Sequence, residues 1–298
     1  MLNVDACDPR FLELVDVECE LRLLSDRFQF TEGPIWDHGA QRLLFSDIAD
    51  SKAWTWTGRE GFSVLREDTN KGNGNAFDLE GNVITCEHAT SRIVRTRPDG
   101  SGYEVLASHY EGRELNAPND VVVKSDGTIW FSDPWFGRKP TWIGVGRPLE
   151  LDFQGVFRLD PKTGELTLAS REFTSPNGLC FSPDERRMYV ADTPEHCIYS
   201  FDVTADGRLA NRRLLADTSY EGVGGPDGLK IDSLGNLYCA AQGGLHVYAP
   251  DGVRLGVVRM PGQTANFCFG GPDLKTVFLT AVSDVYTLRL KAPGPRTK

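Results

Sequence analysis

The stretch that decides the fold is Pro118-Asn119-Asp120-Val121-Val122-Val123, followed by Asp126-Gly127 and then by Ile129-Trp130-Phe131-Ser132-Asp133. It consists of a polar residue, a short apolar run, a turn of aspartate and glycine, and a second apolar run. Two apolar runs joined by a glycine turn are typical of a β-hairpin. The same plan returns later in the chain at Pro176-Asn177-Gly178-Leu179 and at Pro226-Asp227-Gly228-Leu229.

Six copies of this unit can be aligned on their leading polar residue, three of them weaker than the rest. Successive copies are separated by 39 to 58 residues. A repeat of that length made of strands and turns is typical of the blades of a β-propeller. The sequence therefore predicts an all-β fold, a six-bladed β-propeller. The aligned residues are Glu32, Asn73, Asn119, Asn177, Asp227 and Asn266.

The six repeats leave little of the chain unused. Six units of about 45 residues account for about 270 residues, and the chain has 298. We therefore expect a single domain over residues 1–298. Segment 1–29 precedes the first unit, and its stretch 19–24 is a candidate strand to close the last blade. Residues 291–298 are rich in proline and basic residues and are expected to form a loose tail.

Charge and cysteine usage indicate the partners and the compartment. The net charge of −10 and the pI of about 5.1 disfavour binding to nucleic acid or to an anionic membrane surface. No apolar run approaches the ~20 residues that a membrane-spanning helix needs. Seven cysteines without a CxxC spacing favour free thiols in a reducing compartment. We therefore expect a cytoplasmic protein, either a monomer or a small homo-oligomer.

Residues at one repeat position of a propeller converge on the central channel, because the innermost strand of every blade lines it. Six polar side chains there would be costly without partners. Carboxylate and amide oxygens are ligands for hard divalent cations. The alternative is a hydrogen-bonded ladder that plugs the channel, or simple turns at the strand starts. Because six copies share the position, we expect one divalent metal ion: Ca²⁺, with Mg²⁺, Mn²⁺ or Zn²⁺ as alternatives.

A long irregular segment, 134–152, follows Asp133 and is rich in glycine and aromatic residues. Such a loop in a compact β domain is usually either functional or disordered. We interpret it as a wall or lid of a pocket, and the alternative is a surface loop packed on its own tryptophans. His88 follows a predicted strand near the mouth of the channel, as a substrate contact or a structural histidine. The expected substrate-binding residues are Asn73, Asn75, His88, Asn119 and Trp135.

The chain resembles the SMP-30/gluconolactonase family in five phrases that span nearly its whole length in the family's order. The resemblance implies a propeller that holds a divalent metal in its channel and hydrolyses a lactone. It also implies that Glu32, Asn177 and Asp227 hold the metal, with Asn119 as a fourth ligand or a substrate contact. The phrases are Thr31-Glu32-Gly33-Pro34, Leu115-Asn116-Ala117-Pro118-Asn119-Asp120, Phe131-Ser132-Asp133-Pro134, Ser175-Pro176-Asn177-Gly178 and Gly225-Pro226-Asp227-Gly228.

The implied reaction is the opening of a sugar lactone, an aldono-1,4- or 1,5-lactone such as gluconolactone, to the aldonic acid. A metal ion would polarise the carbonyl, and a carboxylate would accept a proton from the attacking water. Asp227 is the first candidate for this base and Asp133 the second. The alternatives are hydrolysis of a phosphotriester or another ester on the same propeller, and a non-enzymatic ligand-binding propeller. The last would have no need of channel carboxylates.

Overall fold

The chain folds into six antiparallel sheets that follow one another along the sequence. The computed structural model describes residues 1–219 and 224–295. Each of these six sheets corresponds to one repeat, and the strands of a repeat follow the chain order from the channel outward, with an N-terminal strand added to the outer edge of blades 5 and 6. The prediction of a six-bladed propeller is therefore confirmed.

The bounds of the elements up to blade 2 are as follows. Before the first blade come β1 (Val4–Ala6), helix α1 (Phe11–Leu14) and β2 (Arg22–Ser25). Blade 1 contains β3 (Thr31–Asp37), β4 (Arg42–Asp47), β5 (Lys52–Thr57) and β6 (Gly61–Arg66). Blade 2 contains β7 (Gly72–Phe77), β8 (Val83–Glu87), β9 (Arg92–Thr96) and β10 (Glu104–Ala107).

The middle blades are separated from blade 2 by a short hairpin. The hairpin strands are β11 (His109–Tyr110) and β12 (Arg113–Glu114). Blade 3 contains β13 (Val121–Val123), β14 (Ile129–Asp133), a 3₁₀ turn (Phe136–Arg138), β15 (Gln154–Leu159) and β16 (Leu166–Phe173). Blade 4 contains β17 (Pro176–Phe181), β18 (Arg187–Asp192), β19 (Cys197–Val203) and β20 (Leu209–Asp217).

The last two blades complete the ring. Blade 5 contains β21 (Leu229–Ile231), β22 (Leu237–Ala241), β23 (Gly244–Tyr248) and β24 (Arg254–Arg259). Blade 6 contains β25 (Asn266–Gly270), β26 (Thr276–Ala281) and β27 (Asp284–Arg289).

The N-terminal segment contributes strands to two different blades. Strand β2 pairs antiparallel with β27, so segment 1–29 supplies the outer strand of blade 6. The strand spans Arg22–Ser25 and overlaps the candidate stretch 19–24. Strand β1 adds a fifth strand to blade 5, with Val4 opposite Val258, which the sequence analysis did not predict. Phe11 of α1 is fully buried, so this segment is packed into the body of the propeller.

The C-terminal residues are more ordered than the sequence predicted. The backbone N–H of Lys291 donates to Leu14 O over 2.8 Å, and that of Gly294 donates to Leu274 O over 2.9 Å. Ala292 is buried. The expected loose tail is therefore wrong for residues 291–294, because their backbone groups have partners in the last blade and the N-terminal segment. Residues 296–298 lie outside the described part of the chain.

The apolar core is divided among the seams between neighbouring blades. One cluster joins blades 3 and 4 around Trp130 and Phe201, and another joins blades 5 and 6 around Tyr238 and Phe267. The seam between blades 1 and 2 carries polar contacts, such as the ion pair of Arg66 with the buried Glu87 at 3.3 Å. No helix within residues 1–219 and 224–295 has the length and apolar character of a membrane span.

Candidate metal and substrate site in the central channel

Five of the six aligned residues lie at the start of the inner strand of their blades. We call this place in each blade the ring position. The five residues are Glu32, Asn73, Asn119, Asn177 and Asp227. In blade 3 the ring residue is Asn119, whose N–H donates to Ser132 O. In blade 6 the matching bond comes from Ala265, whose N–H donates to Thr280 O. Asn266 is therefore one residue beyond the ring position and matches Asp120. The sequence alignment was wrong there because it matched side-chain chemistry, whereas backbone register decides equivalence.

Glycine follows the ring residue in four blades, and packing around the channel requires it. A Cβ atom at Gly33 would collide with Asn73 O, one at Gly74 with Asn119 O, and one at Gly178 with Asp227 O. The inner strands of neighbouring blades can therefore approach closely only because these positions lack a side chain. This close approach brings the ring residues to one place.

The two ring carboxylates lie near enough to influence each other. Glu32 is buried, and its Oε2 accepts hydrogen bonds from Gly33 N at 2.7 Å and Asn266 Nδ2 at 3.0 Å. Burial, and then repulsion from Asp120, raise the pKa of Glu32 to about 7. Burial, and then the charge of Glu32, raise the pKa of Asp227 well above its usual range. A bound cation would relieve both effects.

Two ring amides leave their oxygen atoms unused. Asn177 Nδ2 donates to Thr193 Oγ1 at 3.0 Å, and Asn73 Nδ2 lies 3.0 Å from His88 Nε2. Within the described residues, Oδ1 of each amide is buried without a hydrogen-bond partner. Unpaired oxygens beside carboxylates fit a hard cation, which accepts such neutral donors. Among residues 1–219 and 224–295, no group of three or more histidine, cysteine or acidic side chains is placed to hold a metal ion. The oxygen donors at the ring position are two carboxylates and three amides.

A second polar layer beyond the ring position was missed by the sequence analysis. Asp120 occupies the place that glycine takes in four other blades, and its Oδ2 lies 3.5 Å from Lys230 Nζ. Lys230 Nζ also donates to Asn266 Oδ1 at 3.2 Å. Two features of the sequence could have revealed this layer. Asp120 stands where other repeats have glycine, and Lys230 is a single lysine between Leu229 and Ile231.

His88 holds Asn73 in place and does not line the open channel. The side chain is fully buried, and its Nδ1 lies 2.9 Å from Ile143 O. Because a carbonyl oxygen only accepts, Nδ1 carries the proton and Nε2 accepts from Asn73 Nδ2. Burial lowers the pKa of His88 to about 4, which keeps the ring neutral. The expected direct substrate contact is therefore replaced by a positioning contact.

Asn75 also differs from its expected role in substrate binding. Its Nδ2 donates to Gly33 O and Ser46 Oγ, both at 2.9 Å. Its Oδ1 accepts from Thr85 Oγ1 at 2.7 Å. All its hydrogen-bonding groups are thus committed to joining blades 1 and 2, because its side chain points into the seam between them.

Asp133 belongs to a set of three equivalent carboxylates that cap the loop entering their blade. Asp133 Oδ2 accepts from Asn116 N at 2.8 Å, Asp47 Oδ1 from Phe30 N at 2.8 Å, and Asp192 Oδ1 from Ser175 N at 3.0 Å. Burial raises the pKa of Asp133 to about 7. A contact that recurs in three blades is explained by the fold, so Asp133 has a structural role that the sequence analysis did not foresee.

The loop 134–152 reaches from blade 3 across blades 1 and 2. Lys71 Nζ donates to Trp142 O at 2.8 Å, and the Trp142 ring meets Phe30 edge-on with centroids 4.6 Å apart. Since Phe30 and Lys71 each stand two residues before a ring residue, the loop covers one side of the channel mouth. These contacts support the interpretation as a pocket wall. Trp135 is half-buried in this wall, with Lys139 Nζ 3.6 Å from its ring centroid.

Fold and site together define a class of protein: a six-bladed propeller with carboxylates and amides gathered at one end of its channel. Residues 30–283 match the model of the SMP-30/gluconolactonase/LRE-like region. The chain belongs to this family.

Several relatives are similar over most of their length. A gluconolactonase from Zymomonas mobilis is 31% identical, covering 96% of this chain and 85% of its own. A 6-deoxy-6-sulfogluconolactonase from Pseudomonas putida is 28% identical, over 84% of this chain and 82% of its own. The solved structure of a gluconolactonase from Xanthomonas campestris has a TM-score of 0.89 and 34% identity, over 96% of this chain and 94% of its own.

Proposed function

We propose that this protein is a metal-dependent lactonase that hydrolyses a sugar lactone to the aldonic acid. The observation that carries the proposal is the ring position, where Glu32 and Asp227 meet amide oxygens that lack hydrogen-bond partners within the described residues. The relatives named gluconolactonase and 6-deoxy-6-sulfogluconolactonase support the substrate class. A lactone ring is small and neutral, so it demands no basic pocket.

Glu32, Asn119, Asn177 and Asp227 are the residues that would hold the metal, for which we propose Ca²⁺. Their oxygens are of the type that Ca²⁺ prefers. When bound, a divalent cation polarises the lactone carbonyl and stabilises the negative charge that develops on its oxygen. Glu32 Oε2 already accepts two hydrogen bonds, so the carboxylate is held in a fixed orientation. Fixed donors reduce the reorganisation needed during the reaction.

Asp227 is the proposed general base. As a whole residue it is more exposed than Glu32. Burial of its carboxyl group raises its pKa, which makes it a stronger base than an ordinary carboxylate. Asp227 would accept a proton from water as the water oxygen bonds to the carbonyl carbon. It would then return that proton to the ring oxygen as the ester C–O bond breaks. Asp133 remains the second candidate, although its Oδ2 is engaged by the backbone.

Asn73, Asn119 and Trp135 are the proposed substrate contacts. Asn73 presents Oδ1 because His88 engages its amide nitrogen, and Trp135 offers a half-buried aromatic surface at the wall, of the kind against which a sugar ring packs. A cytoplasmic location is proposed as well, supported by seven cysteines that are all free thiols. A monomer or small homo-oligomer, without nucleic acid or membrane partners, completes the proposal.

A panel of aldonolactones tests this function. The metal-stripped protein would be assayed by proton release against the spontaneous rate, with gluconolactone, galactonolactone, xylonolactone and arabinonolactone. Ca²⁺, Mg²⁺, Mn²⁺ and Zn²⁺ would then be restored one at a time. Metal-dependent acceleration on one sugar would establish the reaction, the substrate and the ion together. Tight metal binding without acceleration on any lactone would contradict the lactonase and favour a phosphotriester or another ester as substrate.

A further inference from the structure

Lys230 is placed unusually for a lysine on the inner strand of a blade. The equivalent positions in blades 3, 4 and 6 are Val122, Cys180 and Cys268, each in the same register opposite the second strand. A charged side chain among apolar neighbours is costly unless a specific partner stabilises it. Packing against apolar neighbours therefore does not explain why a lysine occupies this position. The explanation must come from the polar contacts of its side chain.

The contacts of Lys230 point towards the ring position. Its Nζ lies 3.5 Å from Asp120 Oδ2 and 3.2 Å from Asn266 Oδ1. Asn266 in turn donates from Nδ2 to Glu32 Oε2 at 3.0 Å. The ammonium is thus two hydrogen bonds away from the Glu32 carboxylate. Its positive charge also counters the raised pKa values of both Glu32 and Asp227.

Lys230 places a positive charge beside the ring position. Its ammonium lies 3.5 Å from Asp120 Oδ2, and its partner Asn266 donates to Glu32 Oε2. A positive charge at this place repels any cation that enters the ring position, and by Coulomb's law it repels a trivalent ion more strongly than a divalent one. The lysine therefore weakens the binding of trivalent ions more than that of divalent ions.

We propose that Lys230 is a specificity-determining residue, an internal cation that sets the charge of the ion that the channel accepts. The proposal rests on the proposed cation site and adds the reason why that site takes a divalent ion. Lys230 acts by its fixed charge, at a distance from the metal-holding residues. Replacing it with a neutral residue should therefore favour trivalent over divalent ions.

The test compares the binding of Ca²⁺ and La³⁺ to the full chain by calorimetry, without any lactone. Lys230→Met should raise the ratio of La³⁺ affinity to Ca²⁺ affinity at least about fivefold, because one repelling charge is removed and the trivalent ion feels it more strongly. Lys230→Arg keeps the charge and should retain the ratio of the unchanged protein. Lys230→Gln serves as a second neutral variant if the methionine variant folds poorly.

Lys124→Met is the matched control. Its side chain is 21% exposed against 22% for Lys230, and it also pairs with carboxylates, those of Asp126 and Glu185. The control should leave the ratio unchanged. An unchanged ratio in both neutral Lys230 variants, with both ions still bound, would overturn the proposal. If the protein without substitutions binds neither ion, the proposed cation site is wrong as well. If it binds the ions but does not hydrolyse any lactone, only the lactonase proposal is contradicted.

Discussion

At the scale of single residues, Asp227 combines two roles that a substitution can separate. Asp227→Asn keeps an oxygen at the ring position but removes the carboxylate that accepts a proton. We expect kcat to fall by about 100-fold or more, within the usual contribution of a positioned base, while a weakened cation site still fills at high Ca²⁺. Steady-state kinetics at saturating Ca²⁺ measures this. Asp47→Asn, which alters a capping carboxylate of the same kind as Asp133, should leave turnover per folded molecule nearly unchanged.

Full turnover by Asp227→Asn with the ion bound would show that another group is the base. Asp133→Asn would then be the next variant to assay, since the pKa of Asp133 is also raised, to about 7.

Glu32 gives the metal-free protein a distinct dependence of stability on pH. Its folded-state pKa is raised from 4.5 to about 7, so between these values the folded state binds more protons than the unfolded state. The contribution of Glu32 to the free energy of unfolding therefore falls as pH rises from about 4.5 to 7. We expect Tm of the metal-free protein, relative to that of Glu32→Gln, to drop across this range. Ca²⁺ should remove the difference at pH 7.5, and thermal melts with a chelator or with Ca²⁺ measure both.

At the scale of elements, the loop 134–152 is connected to the ring position through one histidine. Ile143 O fixes the His88 tautomer, and His88 fixes Asn73. His88→Leu should remove the acceptor for Asn73 Nδ2 and lower the free energy of unfolding by about 1–3 kcal/mol, the cost of an unpaired buried group. If Asn73 contacts the substrate, KM should rise several-fold with a smaller change in kcat. His88→Gln can still accept a hydrogen bond from Asn73, so its KM should rise less than that of His88→Leu.

A matched substitution shows whether the rise in KM comes from the contact with Asn73 or from a general loss of stability. His246 is also a fully buried histidine, but it lies in blade 5, with Nε2 2.8 Å from Gln242 O. His246→Leu should lower stability without the selective rise in KM. Equal kinetic effects from both variants would contradict a positioning role for His88.

At the scale of the whole molecule, the N-terminal segment completes the outer edges of blades 5 and 6. Deletion of residues 1–8 removes β1 from the outer edge of blade 5 and should lower Tm by several degrees. Deletion of residues 1–26 also removes β2, the outer strand of blade 6, and the buried Phe11. We expect the longer deletion to abolish cooperative unfolding, because an open blade leaves an edge strand and an apolar face exposed. Calorimetry and size-exclusion chromatography of both deletions measure this.

The single-domain organisation remains a proposal that the same calorimetry examines. The complete chain should unfold in one transition, because every blade is packed against two neighbours around the channel. Two separate transitions would contradict it.

The sequence by itself determined the repeat, the number of blades and five of the six residues that occupy the ring position. These follow from local alternation and from spacing, which the chain carries in order. Glu32, Asn119, Asn177 and Asp227 could be picked because each opens a copy of one phrase. Sequence reasoning also offered stretch 19–24 as a candidate to close the last blade, and it overlaps β2 (Arg22–Ser25).

Only the tertiary structure decided which neighbours each of these residues has. Asn266 and Glu32 are hydrogen-bonded although 234 residues apart, and Lys230 meets Asp120 from another blade. The burial of His88 under the loop, the commitment of Asn75 to a seam and the capping role of Asp133 are likewise contacts between segments. Spacing along the chain places a residue at a repeat position, but the close approach of neighbouring blades determines what its side chain contacts.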